Sequence, residues 1–227
     1  MLNRSTLFLS LLVIAVLASC KKDGDDSLVT IPTGARLNVI NATNDTLNYY
    51  LNGTRINNTS SLYPLGTSGY ILSAVGENNY QFKKFRNAAA LFSLPLALDS
   101  GRVYSLFVTG QSAESTILTA DTLAPAVPDN LNRPRVRFVN TSPQAGNLDV
   151  LVGDTVNFKV RAFKSVSVFL PVNPGNKRVR IYKSGTGALL SDEIRVLNNS
   201  RVYTLFSKGT PGSAGNNAFA TGLVINQ

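Results

Sequence analysis

The sequence predicts an all-β protein: two tandem Ig-like or transthyretin-like antiparallel β-sandwich domains behind an export signal. Three observations carry that prediction. The phrase "RVYSLFVTG" at 102–110 returns as "RVYTLFSKG" at 201–209, with six of nine positions identical at an offset of 99. Apolar residues recur with period two, as in "RVRFV" and "KRVRIYK", and successive side chains of a strand point to opposite faces. Runs rich in Val, Ile, Thr, Tyr and Phe are punctuated by Gly, Asn, Asp and Pro, and no stretch sustains a 3.6-residue period with helix caps.

Residues 1–19 read as a signal peptide. Arg4 gives a positive start, and "LFLSLLVIAVL" (7–17) is an apolar stretch of eleven residues. That is too short for a helix to cross roughly 30 Å of hydrocarbon at about 1.5 Å per residue. "LASC" (17–20) resembles the lipobox of bacterial lipoproteins. The resemblance implies cleavage before Cys20 and lipid on its sulfur, and several acyl chains give lasting membrane attachment. An ordinary secretory signal that happens to contain a cysteine is the other reading. Residues 20–34 open with "CKKDGDD" and form a charged, flexible tether. Lys22 stands where Asp marks inner-membrane retention in some bacteria, so an outer-membrane address is expected, with either leaflet open.

Composition excludes much chemistry. Cys20 is the one cysteine, so once it carries lipid no thiol remains for a disulfide, a nucleophile or a metal site. The chain has no histidine, which removes the Ser-His-Asp triad and histidine-ligated zinc. No cofactor, metal or catalytic residue is expected.

The elements repeat in order. Copy one spans 35–122 and copy two 134–227, joined by the Pro-rich linker 123–133. "ARLNVINAT" (35–43) aligns with "PRVRFVNTS" (134–142), sharing Arg36 with Arg135 and Asn41 with Asn140. A strand and turn follow, from Leu47 and from Leu148, where Asn52-Gly53 and Gly153-Asp154 are hairpin dipeptides that supply positive φ cheaply. The pairs Ile71-Leu72 and Phe169-Leu170 precede the alternating strands "YQFKKF" (80–85) and "KRVRIYKS" (177–184). "FRNAAALFSL" (85–94) lies opposite the turn-like "SGTGALLSDE" (184–193) and reads as loop into strand. "STILTA" (115–120) and "NAFATGLVIN" (217–226) close the copies.

Within the repeated phrase, Val103, Ser105 and Phe107 point one way and Tyr104, Leu106 and Val108 the other. Both faces are largely apolar, as in a central strand packed on one side and partly covered on the other. A site built from Arg102/Arg201 and Tyr104/Tyr203 competes with this reading, but folding alone accounts for the repetition.

"RVRFVNTSPQAGNLDVLVGD" (135–154), a Gly-containing turn, an alternating strand and "SRVYTLFSKG" (200–209) together resemble the bacterial family DUF4397. The resemblance implies exported or lipid-anchored β-sandwich modules, often in tandem, and brings no catalytic residues. It covers copy two nearly throughout. Copy one lacks the Ser-Pro and Leu-Asp at the matching place, "ATNDTLNYYLNG" (42–53), so its assignment rests on the internal repeat.

Candidate sites are few. Asp149 and Asp154 flank a hairpin, while Asp192 and Glu193 point oppositely on a strand, so turn and solvent roles are expected over a glycosidase pair. "NTSPQAGNLD" (140–149) is oxygen-rich but lacks a carboxylate cluster, and reads as a tight loop rather than a calcium site. Charge is more telling. Residues 20–130 hold 8 basic and 9 acidic side chains, residues 131–227 hold 13 and 4. Arg133, Arg135 and Arg137 share a strand parity, as do Arg178 and Arg180, and Lys159 and Arg161. If those strands adjoin in one sheet they form a basic face for lipopolysaccharide phosphates, acidic polysaccharide or anionic lipid. Nucleic acid is a poorer partner for an exported module, and a merely solvated sheet face is the plainer alternative. Asp-Ser/Thr-aliphatic triplets at Ser27, Thr46, Thr122 and Thr155 are similar to the O-glycosylation sequon of some Gram-negative bacteria.

The expected function is non-enzymatic: a cell-envelope lipoprotein acting in binding or surface structure. The alternatives are a glycan-processing enzyme subunit, or an accessory or stalk component of a surface complex with other envelope proteins.

Overall fold

The structure, a computed structural model, describes residues 34–122, 130–154 and 156–226. The signal peptide, Cys20, the tether, Ser27, Thr155 and residues 123–129 of the linker lie outside the described residues. The first repeat runs β1 (Ala35–Asn41), β2 (Leu47–Leu51), β3 (Thr54–Arg55), β4 (Thr67–Ser73), β5 (Gly76–Lys84), β6 (Phe92–Leu98), β7 (Val103–Val108) and β8 (Thr116–Ala120). The second runs β9 (Arg135–Val139), β10 (Leu148–Val152), β11 (Val156–Arg161), β12 (Leu170–Pro171), β13 (Gly175–Lys183), β14 (Leu189–Leu197), β15 (Val202–Lys208) and β16 (Ala220–Ile225). No helix among the described residues is long and apolar enough to cross a membrane.

Each repeat folds into two four-stranded sheets. Their orders are β4–β1–β7–β8 with β3–β2–β5–β6, then β12–β9–β15–β16 with β11–β10–β13–β14, the same strand for strand. Asn52 at φ 47° and Gly53 at φ 86° make the tight β2–β3 turn that the dipeptide predicts. One expectation is corrected: the sheets are not wholly antiparallel. β1 pairs in parallel with β7, and β9 with β15. The chain leaves β1 for the opposite sheet, comes back as β4 to pair antiparallel with β1, crosses over again through β5 and β6, and only then returns as β7, a long connection of the kind a parallel pair requires; the second repeat does the same.

Alternation divides each central strand between two cores. Leu37, Val39, Tyr49, Phe82, Tyr104 and Leu106 fill the first sandwich, and Val136, Phe138, Val150, Ile181, Tyr203 and Leu205 the second. The opposite faces build a third cluster: Ile40, Phe107 and Ile117 meet Val139, Phe206 and Val224. The sheets β4–β1–β7–β8 and β12–β9–β15–β16 therefore pack against each other, and both sandwiches belong to one compact unit. This explains why both faces of the repeated phrase are apolar. Phe206 lies on Gly222, where a Cβ would come within 2.2 Å of the ring, so only glycine fits beneath it.

The remaining repeated residues are structural too. The Tyr104 hydroxyl donates to Asp99 at 2.9 Å, and the Tyr203 hydroxyl accepts the Asn198 N–H at 2.9 Å. Each ties down the corner that precedes its own strand. The carbonyls of Arg102 and Arg201 accept the N–H of Arg36 and Arg135 at 2.8 and 3.0 Å, which starts each parallel ladder.

Candidate functional site

Beside the third apolar cluster lies a closed polar ring between the two domains. Arg137, 2% exposed, donates through Nη2 to Asp121, whose side chain is wholly buried. Tyr70 donates to Asp121 at 2.6 Å and Ser105 donates to the same carboxylate oxygen at 2.7 Å. The amide of Asn226 donates to the Tyr70 oxygen at 2.7 Å, and Thr204 donates to Asn226 at 2.7 Å. Arg137 Nε donates to Thr204 at 2.9 Å and closes the ring. Burial, with the Asp121 charge beside it, pushes the Tyr70 hydroxyl up to about 12.

The ring is a broken pseudo-symmetry. Ser105 matches Thr204, Asn38 matches Arg137, and Tyr70 matches Phe169, each 99 residues on. Asp121 and Asn226 each follow the closing strand, and their N–H groups donate to Val103 and Val202 at 2.8 and 2.7 Å. Sequence reasoning read Asp121 only as part of a glycosylation triplet. The available signal was Ser105 and Thr204, two hydroxyls inside otherwise apolar strands.

The expected basic face divides. Lys159, Arg178 and Arg180 do share the outward side of the β11–β10–β13–β14 sheet, since Phe158, Val179 and Ile181 point into the core. Arg161 does not join them. A bulge at Val160, φ 50°, shifts the register so that Arg161 pairs opposite Leu148 and takes the other side. Arg135 and Arg137 lie on the interdomain side of a different sheet, because β9 belongs to β12–β9–β15–β16. Arg137 is thus an internal ion-pair partner, and its guanidinium sits 4.6 Å over Phe169. Arg135, its pKa lowered by burial, lies 5.7 Å from the same ring. Arg133 is half-buried just before β9.

On the outward sheet face, Arg178 is 63% exposed and forks onto Asp192 at 2.7 and 2.5 Å. Hydrogen bonding from Arg178, aided by its charge and that of Arg180, holds the Asp192 carboxyl below its usual range. The Nε of Arg180 has no hydrogen-bond partner. Lys159 lies 3.4 Å from Asp149, which also accepts from Ser184 and the Val160 N–H at 2.7 and 2.8 Å. Burial works against the Asp149 charge, but these bonds and Lys159 hold its pKa below the usual range. No group of three or more potential metal ligands occurs among the described residues. In the oxygen-rich loop, buried Asn140 donates to Gly146 and Arg161 carbonyls at 3.0 and 2.9 Å and accepts from Ser142 and Ser207 at 3.1 Å each. Asn41 braces the first domain likewise, donating to Asp45 and Leu62 carbonyls at 2.7 and 2.8 Å. Of the glycosylation candidates within the described residues, Thr122 is exposed and Thr46 half-buried.

Two clefts open at the domain interface. One, of about 330 Å³, is lined by Arg135, Arg137 and Phe169 with Thr119 and Thr122 opposite. The other, of about 390 Å³, lies where the turns after β1 and β7 meet those after β9 and β15.

Residues 134–224 match the profile of DUF4397, a domain of unknown function. The match falls within the second sandwich. The first sandwich repeats the strand order of the second throughout. No curated protein matches the chain. Among solved structures, CBMbc of family CBM26 from Eubacterium rectale Amy13K, crystallised with maltoheptaose, is similar over 82% of this chain and 95% of its own, at 10% identity and a TM-score of 0.26.

Proposed function

We propose that this protein is a non-enzymatic lipoprotein of the cell envelope, anchored at the outer membrane through lipid on Cys20, that binds anionic glycan or lipopolysaccharide. The contact surface is the outward face of the β11–β10–β13–β14 sheet in the second sandwich. The arginine pair on β13 carries the reading. Arg178 and Arg180 project from one side of one strand, about 6.6 Å apart along it. The matching positions of β5 hold neutral Asn79 and Gln81 on the same scaffold. The exposed Arg178–Asp192 pair is no obstacle, since such pairs contribute only about 0.2–1 kcal/mol and a phosphate or carboxylate displaces Asp192 readily. A non-catalytic role fits the carboxylates, because Asp149, Asp192 and Glu193 are each engaged by a cation rather than converging on a common point.

The test uses residues 27–227 on columns of lipopolysaccharide and acidic polysaccharide with rising salt. Retention that falls with salt, is lost in Arg178→Gln/Arg180→Gln and is strengthened in Asn79→Arg/Gln81→Arg is the expected result. Retention unchanged by the arginine substitutions would overturn the assignment of this face.

A further inference from the structure

The larger interdomain cleft is a product of the duplication. Asn44 and Asp45 stand on one side, with Pro143 and Gln144, their equivalents 99 residues on, across from them. Gln111 and its equivalent Thr210 complete the opening. The copies have diverged in charge here, and Thr109 of the first domain is replaced by Lys208 in the second.

Lys208 is 5% exposed, and its ammonium donates only to neutral oxygens: Asn44 Oδ1 at 3.1 Å and the Asn216 carbonyl at 2.7 Å. Asn44 relays the donation through Nδ2 to Asn217 Oδ1 at 2.8 Å. Asp45, the carboxylate of the cleft, is already matched by Lys84 at 2.9 Å and takes a further bond from Gln111 at 3.2 Å. One positive charge therefore sits beneath a wall of amides with no carboxylate paired to it among the described residues. Burial pushes the Lys208 pKa down, as befits a cation short of compensation.

We propose that this cleft binds a carboxylate-bearing sugar of the uronic acid class, its carboxylate toward the Asn44 and Asn217 amides that lie over Lys208 and its hydroxyls toward Gln111, Gln144 and Asp45. Side-chain amides donate and accept together, as sugar hydroxyls require. The volume lies within the roughly 300–1,000 Å³ of small-molecule sites. The single excess charge, delivered through amide donors, matches a carboxylate. A phosphate monoester would bring about two negative charges against that one cation. The site shares no residue with the outward arginine face.

Calorimetric titration of residues 27–227 with D-galacturonic acid and with D-galactose tests this. Galacturonic acid is expected to bind, with galactose weaker by about tenfold. The exposed substitutions Asn217→Ala and Gln144→Ala weaken galacturonate several-fold without moving the melting temperature, and Lys208→Met removes the preference for the acid. Galacturonate held at the outward face is lost in Arg178→Gln/Arg180→Gln, and the binding that persists in that variant and falls with Asn217→Ala and Gln144→Ala separates this site from that face. Absence of binding by either sugar, equal affinity for both, or binding that survives Asn217→Ala and Gln144→Ala would overturn the proposal.

Discussion

Phe107 and Phe206, equivalent residues of the two repeats, meet across the interdomain layer with ring centroids 5.7 Å apart and planes tilted by 60°. Neither ring is exposed. Truncating either opens a cavity at the point where the domains join, and Phe107→Ala or Phe206→Ala should cost about 3–5 kcal/mol. Urea unfolding followed by circular dichroism checks it, and a loss below about 1 kcal/mol would mean the contact is weak.

The same layer makes the domains interdependent. Residues 130–227 alone would expose Val139, Phe206 and Val224 together. That fragment is expected to bind a hydrophobic dye and self-associate, while residues 27–227 remain monodisperse with one melting transition. A monodisperse, dye-silent fragment would show that the second sandwich is self-sufficient.

Asp121 and Arg137 form an ion pair with almost no access to water. Removing one charge from such a pair costs about 3–5 kcal/mol, whereas removing both spares the uncompensated charge. Asp121→Asn should therefore be strongly destabilising, and Asp121→Asn/Arg137→Met should recover most of the loss, since the asparagine oxygen still accepts from Tyr70. A double-mutant cycle by chemical denaturation reads the coupling.

Tyr70 gives the ring a pH dependence. Its hydroxyl is held at about 12 against an ordinary 10.0, so the folded state keeps a proton that the unfolded state releases. Its contribution is full below pH 10 and is lost as pH rises toward 12. Tyr70→Phe should flatten that part of the curve of melting temperature against pH relative to the native chain. Tyr49 and Tyr80, also raised by burial, remain in both proteins and cancel in the comparison.

Asn140 satisfies two carbonyls and a backbone N–H at once. Asn140→Ala strands those groups and should cost about 2–3 kcal/mol. Calcium or its chelation should leave the melting temperature of the native chain unchanged, because the loop is held by this amide. A calcium-dependent rise would place an ion in the loop.

The duplication, the strand sequence and the turn positions were legible from sequence because their causes are local: side-chain alternation, glycine and asparagine at positive φ, and a repeated phrase. The partnership of Arg178 and Arg180 was legible for the same reason, since two residues apart on one strand is one face. Parity failed at Arg161, where a bulge at Val160 inserts one residue into the count.

Arg137 and Arg178 look alike in sequence, each two residues from another arginine on an alternating strand. Only the tertiary structure makes one a buried partner of Asp121 and the other a solvent-facing fork on Asp192. Local side-chain alternation and the repeat fix two all-β repeats and, wherever no bulge intervenes, which residues share a strand face. Long-range pairing within each repeat decided the parallel partnership of β1 with β7, and the packing of the domains decided the closed ring from Tyr70 to Asn226 and the cleft beside Lys208. Strand geometry is set by neighbours in the chain, whereas burial and ion pairing depend on groups that lie far apart in sequence and meet only when the sheets stack.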